Sequence, residues 1–143
     1  MKQAAEEAKA GIRAGHGGPF GCVIVKDGEV IGSGHNEVIL QQDPTCHGEM
    51  VAIRRACQHL GTFHLAGCEL YTTAEPCPMC RGAILWAGIS KVYYGCTVAD
   101  TEHIGFRDRE FFEGTFDIAE ELDRAACLDV FTEYTQIRDK KPY

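Results

Sequence analysis

Residues 45 to 50 read TCHGEM, with a histidine and a glutamate two apart, and residues 75 to 80 read EPCPMC, with two cysteines three apart. On a helix Cys77 and Cys80 share a face, and near a helix N-terminus the dipole and the free N–H groups stabilise thiolates. His47 and Glu49 do not share a helix side at a spacing of two. Helical side chains lean toward the N-terminus, however, so both can converge over the open end of a helix. The expectation is two helix N-termini aimed at one metal. One nitrogen and two sulfurs suit Zn2+, and three protein ligands leave the fourth tetrahedral position to water. Two thiolates cancel the formal charge of the ion, so this water gives up its proton less readily than at an all-histidine site. Glu49 is the base placed to take that proton and pass it to a ring nitrogen of a substrate.

Other readings of the same residues stand beside this one. A redox CxxC accounts for Cys77 and Cys80 but leaves His47 and Glu49 without a role. A closed structural zinc site, in a non-catalytic binding domain, needs a fourth protein ligand, for which Cys46 and His35 are the candidates. Cys22, Cys57, Cys68, Cys96 and Cys127 lie in apolar stretches and read as core thiols. His16, His59, His64 and His103 read as surface or loop residues.

The elements that must hold the site follow from pattern. An Ala-rich helix ends at Gly15. Cys22 to Val25 and Glu29 to Gly32 form a hairpin around Asp27-Gly28, the dipeptide that supplies the positive backbone angles of a tight turn. Asp43 reads as an N-cap with Pro44 at the first helical position, and the helix carries Met50, Ile53, Cys57 and Leu60 on one face before Gly61 stops it. A strand begins at Cys68, a helix runs from Pro76 to Gly88, and a strand begins at Lys91, which together make a βαβ unit. Short helical pieces follow Cys96. A last helix carries Val130, Phe131, Tyr134 and Ile137 at helical spacing. The order ββαβαβ, then helices, implies an α/β protein whose mixed sheet has helices on both faces. No repeat, low-complexity tract or linker interrupts residues 1–143, so a single domain is expected.

Composition narrows the partners. The chain has 143 residues, 45% of them hydrophobic, and a net charge of -7 with no dense basic stripe. Binding to nucleic acid draws most of its affinity from neutralised phosphates, so a polymer substrate is disfavoured and a small neutral one preferred. No apolar run approaches the roughly 20 residues of a membrane span, and the N-terminus lacks a signal-peptide pattern. A cytoplasmic location is expected, where eight cysteines are better explained by metal ligation or burial than by disulfides.

His47-Gly48-Glu49 and Pro76-Cys77-Pro78-Met79-Cys80 together match the H-x-E and P-C-x-x-C signature of zinc-dependent base deaminases. From about Gly17 to Asp108 the chain resembles the cytidine deaminase-like superfamily, and within it the small bacterial guanine deaminases. The stretches that carry the resemblance are GGPFG, IGSGHN, DPTCHGEM, YTTAEPCPMCRGAI, GFRD and the terminal KKPY. Gly48 stands where alanine is usual, and Arg107 where an acidic residue is expected beside Asp108. The resemblance implies a three-layer α/β/α sandwich with a five-stranded mixed sheet, usually as a homodimer. It implies zinc on His47, Cys77 and Cys80 with Glu49 as proton shuttle. It further implies that Asn36 hydrogen-bonds a nucleobase, that Phe20 and Trp86 line its ring faces, and that Asp108 and Tyr143 contact the guanine edge. The activity implied is hydrolysis of guanine to xanthine and ammonia. Relatives with nearly the same zinc motifs deaminate cytosine, adenosine in tRNA, guanosine or amino-triazines, so guanosine, cytosine or cytidine, adenine or adenosine, and an amino-triazine remain the alternatives.

Overall fold

A computed structural model describes residues 1–114 and, beyond them, positions 122, 124, 128, 130–132 and 136. The elements in chain order are α1 (Lys2–Ala14), β1 (Gly21–Lys26), β2 (Glu29–His35), α2 (Val38–Gln41), α3 (Gly48–Leu60), β3 (Glu69–Ala74), α4 (Pro78–Trp86), β4 (Lys91–Cys96), α5 (Val98–His103) and α6 (Asp108–Glu113). They belong to one compact unit, Met1–Glu113, and Gly114–Tyr143 forms a second. In the second unit positions 124, 128, 130–132 and 136 are helical, and Thr132 Oγ1 donates to the Leu128 carbonyl at 3.0 Å. Tyr134 and Ile137 of the expected last helix lie outside the described residues, as does Cys127. Among the described residues no helix is long and apolar enough to cross a membrane.

The hairpin forms where the sequence places it. Asp27 and Gly28 both have positive φ, 51° and 84°, and Lys26 pairs with Glu29 across them. The sheet order is β2-β1-β3-β4, with β1 antiparallel to both neighbours and β3 parallel to β4 through α4. This mixed sheet has four strands among the described residues where five were expected. Straight after β4, Thr97 and Asp100 close a reciprocal capping box that launches α5, so the chain turns helical.

Strand alternation sorts the layers. Cys22, Ile24 and Leu70 pack with Ala52, Ile53 and Ala56 of α3 and with Ile84 of α4 in the main core. Gly32 and Gly34 of β2 share that face and let α3 approach the backbone closely. A methyl on Gly34 would lie 2.7 Å from Val51 Cγ1 and 2.9 Å from the Ala52 amide nitrogen. Gly34→Ala should therefore cost about 1–3 kcal/mol of stability, read from denaturant unfolding. Gly21 does the same on the opposite face, where a methyl would strike backbone atoms of Ala4 and Ala8 in α1.

Two helix starts differ from the sequence reading. α3 begins at Gly48, because Asp43 spends its carboxylate inside its own turn, accepting from Thr45 N and Thr45 Oγ1 at 2.8 Å each. α4 begins with Pro78 rather than Pro76 at its first position. Among the expected core thiols, Cys22 and Cys68 are buried and Cys57 is partly so, but Cys96 is exposed at the end of β4.

Candidate active site

The later helix starts make His47 and Cys77 N-cap residues. Both have extended backbone, at φ -69°, ψ 158° and φ -65°, ψ 167°, which projects each side chain ahead of its first turn. Cys80 follows one turn into α4 and is fully buried. His47 Nδ1 lies 3.6 Å from the sulfurs of both Cys77 and Cys80, and the three ligand atoms fall within 4.8 Å of one another. Ordinary Zn–N and Zn–S bonds at tetrahedral angles give N···S and S···S edges of about 3.6 and 3.8 Å. The donor set and its spacing therefore fit zinc.

Neither candidate for a fourth ligand joins this group. The Cys46 thiol donates to Asp43 Oδ2 at 3.3 Å and receives Arg54 Nη1 at 3.5 Å. The His35 ring is bonded to Glu7 and His16. Among the described residues His47, Cys77 and Cys80 are the group that could hold a metal ion, and three protein ligands fit the open, catalytic zinc pattern rather than the closed structural one.

Glu49 is 5% exposed. Thr72 Oγ1 donates to its Oε1 at 3.0 Å, while the Cys80 thiol lies 3.5 Å from its Oε2. Burial raises the Glu49 pKa above the usual carboxylate range, opposed by its own backbone N–H and by the Thr72 hydroxyl. A hydrogen bond from the Cys80 thiol, aided by His47, holds Cys77 down at about 4. The same hydrogen bond, burial and the Glu49 carboxylate push Cys80 well up. Thr72 is a residue the motif reading passed over. The period of two along β3 was the available signal, since it puts Thr72 on the same inward face as Leu70.

In front of these groups lies a cavity of about 520 Å3 lined by His47, Glu49 and Cys77 together with Phe20, Asn36 and Asp108. Three sequence-derived contacts thus share one wall system with the metal site. Phe106, the phenylalanine within GFRD to which the sequence reading gave no role, meets Phe20 edge to face at 4.7 Å. Asn36 is buried, and its Oδ1 accepts from the Gly18 and Val38 amides at 3.2 and 3.3 Å. That leaves Nδ2 as the part of the amide available to a ligand. Trp86 does not line this cavity. It is the last residue of α4, nine positions beyond Cys77 and so roughly 13 Å along the axis, and it is 69% exposed. Tyr143 lies outside the described residues. At Gly48, an alanine methyl would meet the Phe20 carbonyl oxygen at 3.2 Å, so glycine lets the start of α3 sit close against the entry to β1.

Comparison with known proteins agrees with this geometry. The model of the cytidine and deoxycytidylate deaminase zinc-binding region matches residues 1–96. The chain is 48% identical to the guanine deaminase of Bacillus subtilis strain 168 over 150 aligned positions, covering 100% of this chain and 96% of the relative. A solved structure of guanine deaminase from Bacillus subtilis superposes with a TM-score of 0.93 at 40% identity, covering 99% of this chain and 95% of that one. The tRNA-specific adenosine deaminase of Aquifex aeolicus is 46% identical over 73% of this chain and 68% of its own length. A protein solved in complex with 2,6-diaminopurine superposes with a TM-score of 0.71 at 34% identity, over 75% of this chain and 60% of that chain.

Proposed function

The chain belongs to the cytidine and deoxycytidylate deaminase zinc-binding family, with its cytidine deaminase-like fold, and on that premise we propose that it hydrolyses free guanine to xanthine and ammonia. The observation that carries the substrate is the reach of the resemblance. Likeness to the Bacillus guanine deaminase extends over 100% of the chain, whereas likeness to the tRNA-specific enzyme of Aquifex covers 73%. The net charge of -7 also weighs against an RNA partner.

Zinc held by His47, Cys77 and Cys80 supplies a Lewis acid that activates water when it is bound. Glu49 would take a proton from a water at its carboxylate and deliver it to the ring nitrogen beside the amino-bearing carbon, so that the water oxygen adds to that carbon. It would then take the proton of the new hydroxyl group and pass it to the amino group, so that the C–N bond breaks, ammonia leaves and the carbonyl of xanthine forms. Thr72 holds Oε1 throughout, so the other oxygen does the shuttling. Phe20 flanks the purine ring with Phe106, Asn36 donates to the base through Nδ2, and Asp108 accepts from the ring N–H and exocyclic amine. We read residues 1–143 as one deaminase domain, acting as a cytoplasmic homodimer. The full-length alignment supports the first reading, and the family resemblance supports the dimer.

Zinc analysis with an ammonia-release screen over guanine, guanosine, cytosine, cytidine, adenine, adenosine and an amino-triazine tests the substrate. Guanine should give the highest kcat/KM, and preference for any other compound reassigns it. A site built around a polar edge penalises whatever leaves that edge unpaired. Asp108→Ala should accordingly cost guanine turnover about 2–4 kcal/mol in kcat/KM with zinc content intact. Unchanged guanine kinetics in that variant would mean that another group reads the base.

A further inference from the structure

Gly11 lies inside α1, where glycine is less favourable than alanine. The reason for a glycine there is a ring. A methyl at Gly11 would lie 2.6 Å from His35 Cδ2, so α1 rests directly on the His35 imidazole. The His35 side chain is 13% exposed, its Nδ1 is 3.2 Å from Glu7 Oε2, and its Nε2 is 2.9 Å from His16 Nδ1. The two imidazoles also stack, with centroids 5.2 Å apart. A carboxylate only accepts, so His35 Nδ1 carries a hydrogen; Nε2 then either accepts from His16 or, in the cation, donates to it. The chain Glu7, His35, His16 is therefore connected from end to end.

What this chain joins is the wall of the cavity. His16 precedes Gly17, Gly18 and Phe20, and His35 precedes Asn36, Val38 and Ile39; all six of these following residues line the cavity, and neither histidine does. The two segments are also stitched by backbone bonds. The Asn36 amide donates to the Phe20 carbonyl at 2.8 Å, and the His16 carbonyl accepts from Ile39 and Leu40 at 3.0 and 3.1 Å. With Asn36 Oδ1 taken by the Gly18 amide, the orientation of the Asn36 amide depends on how far apart the two segments stand.

We propose that Glu7, His35 and His16 are positioning residues, a hydrogen-bonded strut from α1 that fixes the spacing of the Gly18 and Asn36 segments and thereby the affinity of the cavity for its purine. The proposal rests on the guanine reading for its kinetic arm only. Its structural arm is amide hydrogen exchange at Gly18 and Val38, the two donors to Asn36.

The test compares His35→Phe, which fills the space and breaks both bonds, with His35→Gln, whose amide can donate to Glu7 and accept from His16. His35→Phe should raise the KM for guanine about tenfold with kcat within about twofold of the parent, which is the signature of lost ground-state binding. Zinc content should hold, and exchange at Gly18 and Val38 should quicken. His35→Gln should recover most of both effects. Should His35→Phe fail to fold, His16→Leu is read by the same measurements. Unchanged KM and exchange in the broken variant, equal damage from His35→Gln, or a fall in kcat matching the rise in KM overturns the strut. If the parent protein leaves guanine untouched, the substrate reading fails, and the exchange data still decide the proposal.

Discussion

Glu49→Ala is expected to keep its zinc and to lose guanine turnover by a factor on the order of 10^2 to 10^4, the span typical of a removed general acid-base. Retention of metal follows from the ligand geometry, since His47, Cys77 and Cys80 close the metal group without the carboxylate. Loss of turnover follows from placement. Glu49 is 5% exposed, faces the same cavity as His47 and Cys77, and has one oxygen fixed by Thr72. Glu49→Gln keeps an oxygen to accept from Thr72 and preserves the packing, yet an amide cannot accept and return a proton, so it should be nearly as inactive. Metal content by atomic spectroscopy and ammonia release on the same samples decide the matter. An active Glu49→Ala protein would return the zinc to a structural role.

How much of this was legible beforehand depends on how local each signal is. The grouping of His47, Cys77 and Cys80 with Glu49 beside them is readable because metal and proton-transfer chemistry needs particular residue types at particular spacings. The hairpin is readable because Asp27-Gly28 meets a backbone demand that few dipeptides meet. The starts of α3 and α4 were misplaced by residues with two possible uses. Asp43 can cap a helix or close a turn, and here it closes one; Pro76 and Pro78 both suit a first turn, and the helix starts with the second. Trp86 was assigned to the base through resemblance alone, whereas the length of α4 carries it to the helix end opposite the metal ligands. Thr72, Phe106 and the histidine pair depend on tertiary partners. His16 and His35 are separated by a hairpin in sequence and by 2.9 Å in space, and no local pattern announces that contact. The residue pattern itself placed four strands with short helical pieces after Cys96, as found; the fifth strand was implied by the resemblance alone, and the capping box at Thr97 turns the chain helical straight after β4.

Cys80→Ser should lose both zinc and activity, while Cys46→Ser should keep both. Cys80 is fully buried, and its sulfur lies 3.6 Å from His47 Nδ1 and 3.5 Å from Glu49 Oε2. A serine hydroxyl fits the same space but is not ionised at neutral pH, so the ion would retain one imidazole, one thiolate and an uncompensated charge in a buried setting. Cys46 is adjacent to His47 in sequence, but its sulfur is engaged by Asp43 and Arg54 outside the ligand group. The parent and Cys46→Ser should each carry about one zinc per chain, and Cys80→Ser well under half of that after dialysis against a weak chelator. Stability supplies the second readout, because a ligand that binds only the folded state adds RT ln(1 + [L]/Kd), about 2.7 kcal/mol at 100 times Kd. Added zinc should therefore raise the thermal midpoint of the metal-stripped parent and of Cys46→Ser while leaving Cys80→Ser nearly unmoved. With the metal removed, the parent and Cys80→Ser should melt close together, because the substitution is nearly isosteric and its cost falls on metal binding. Zinc loss from Cys46→Ser would instead make Cys46 a fourth ligand, close the coordination sphere and remove the position at which water has to be activated.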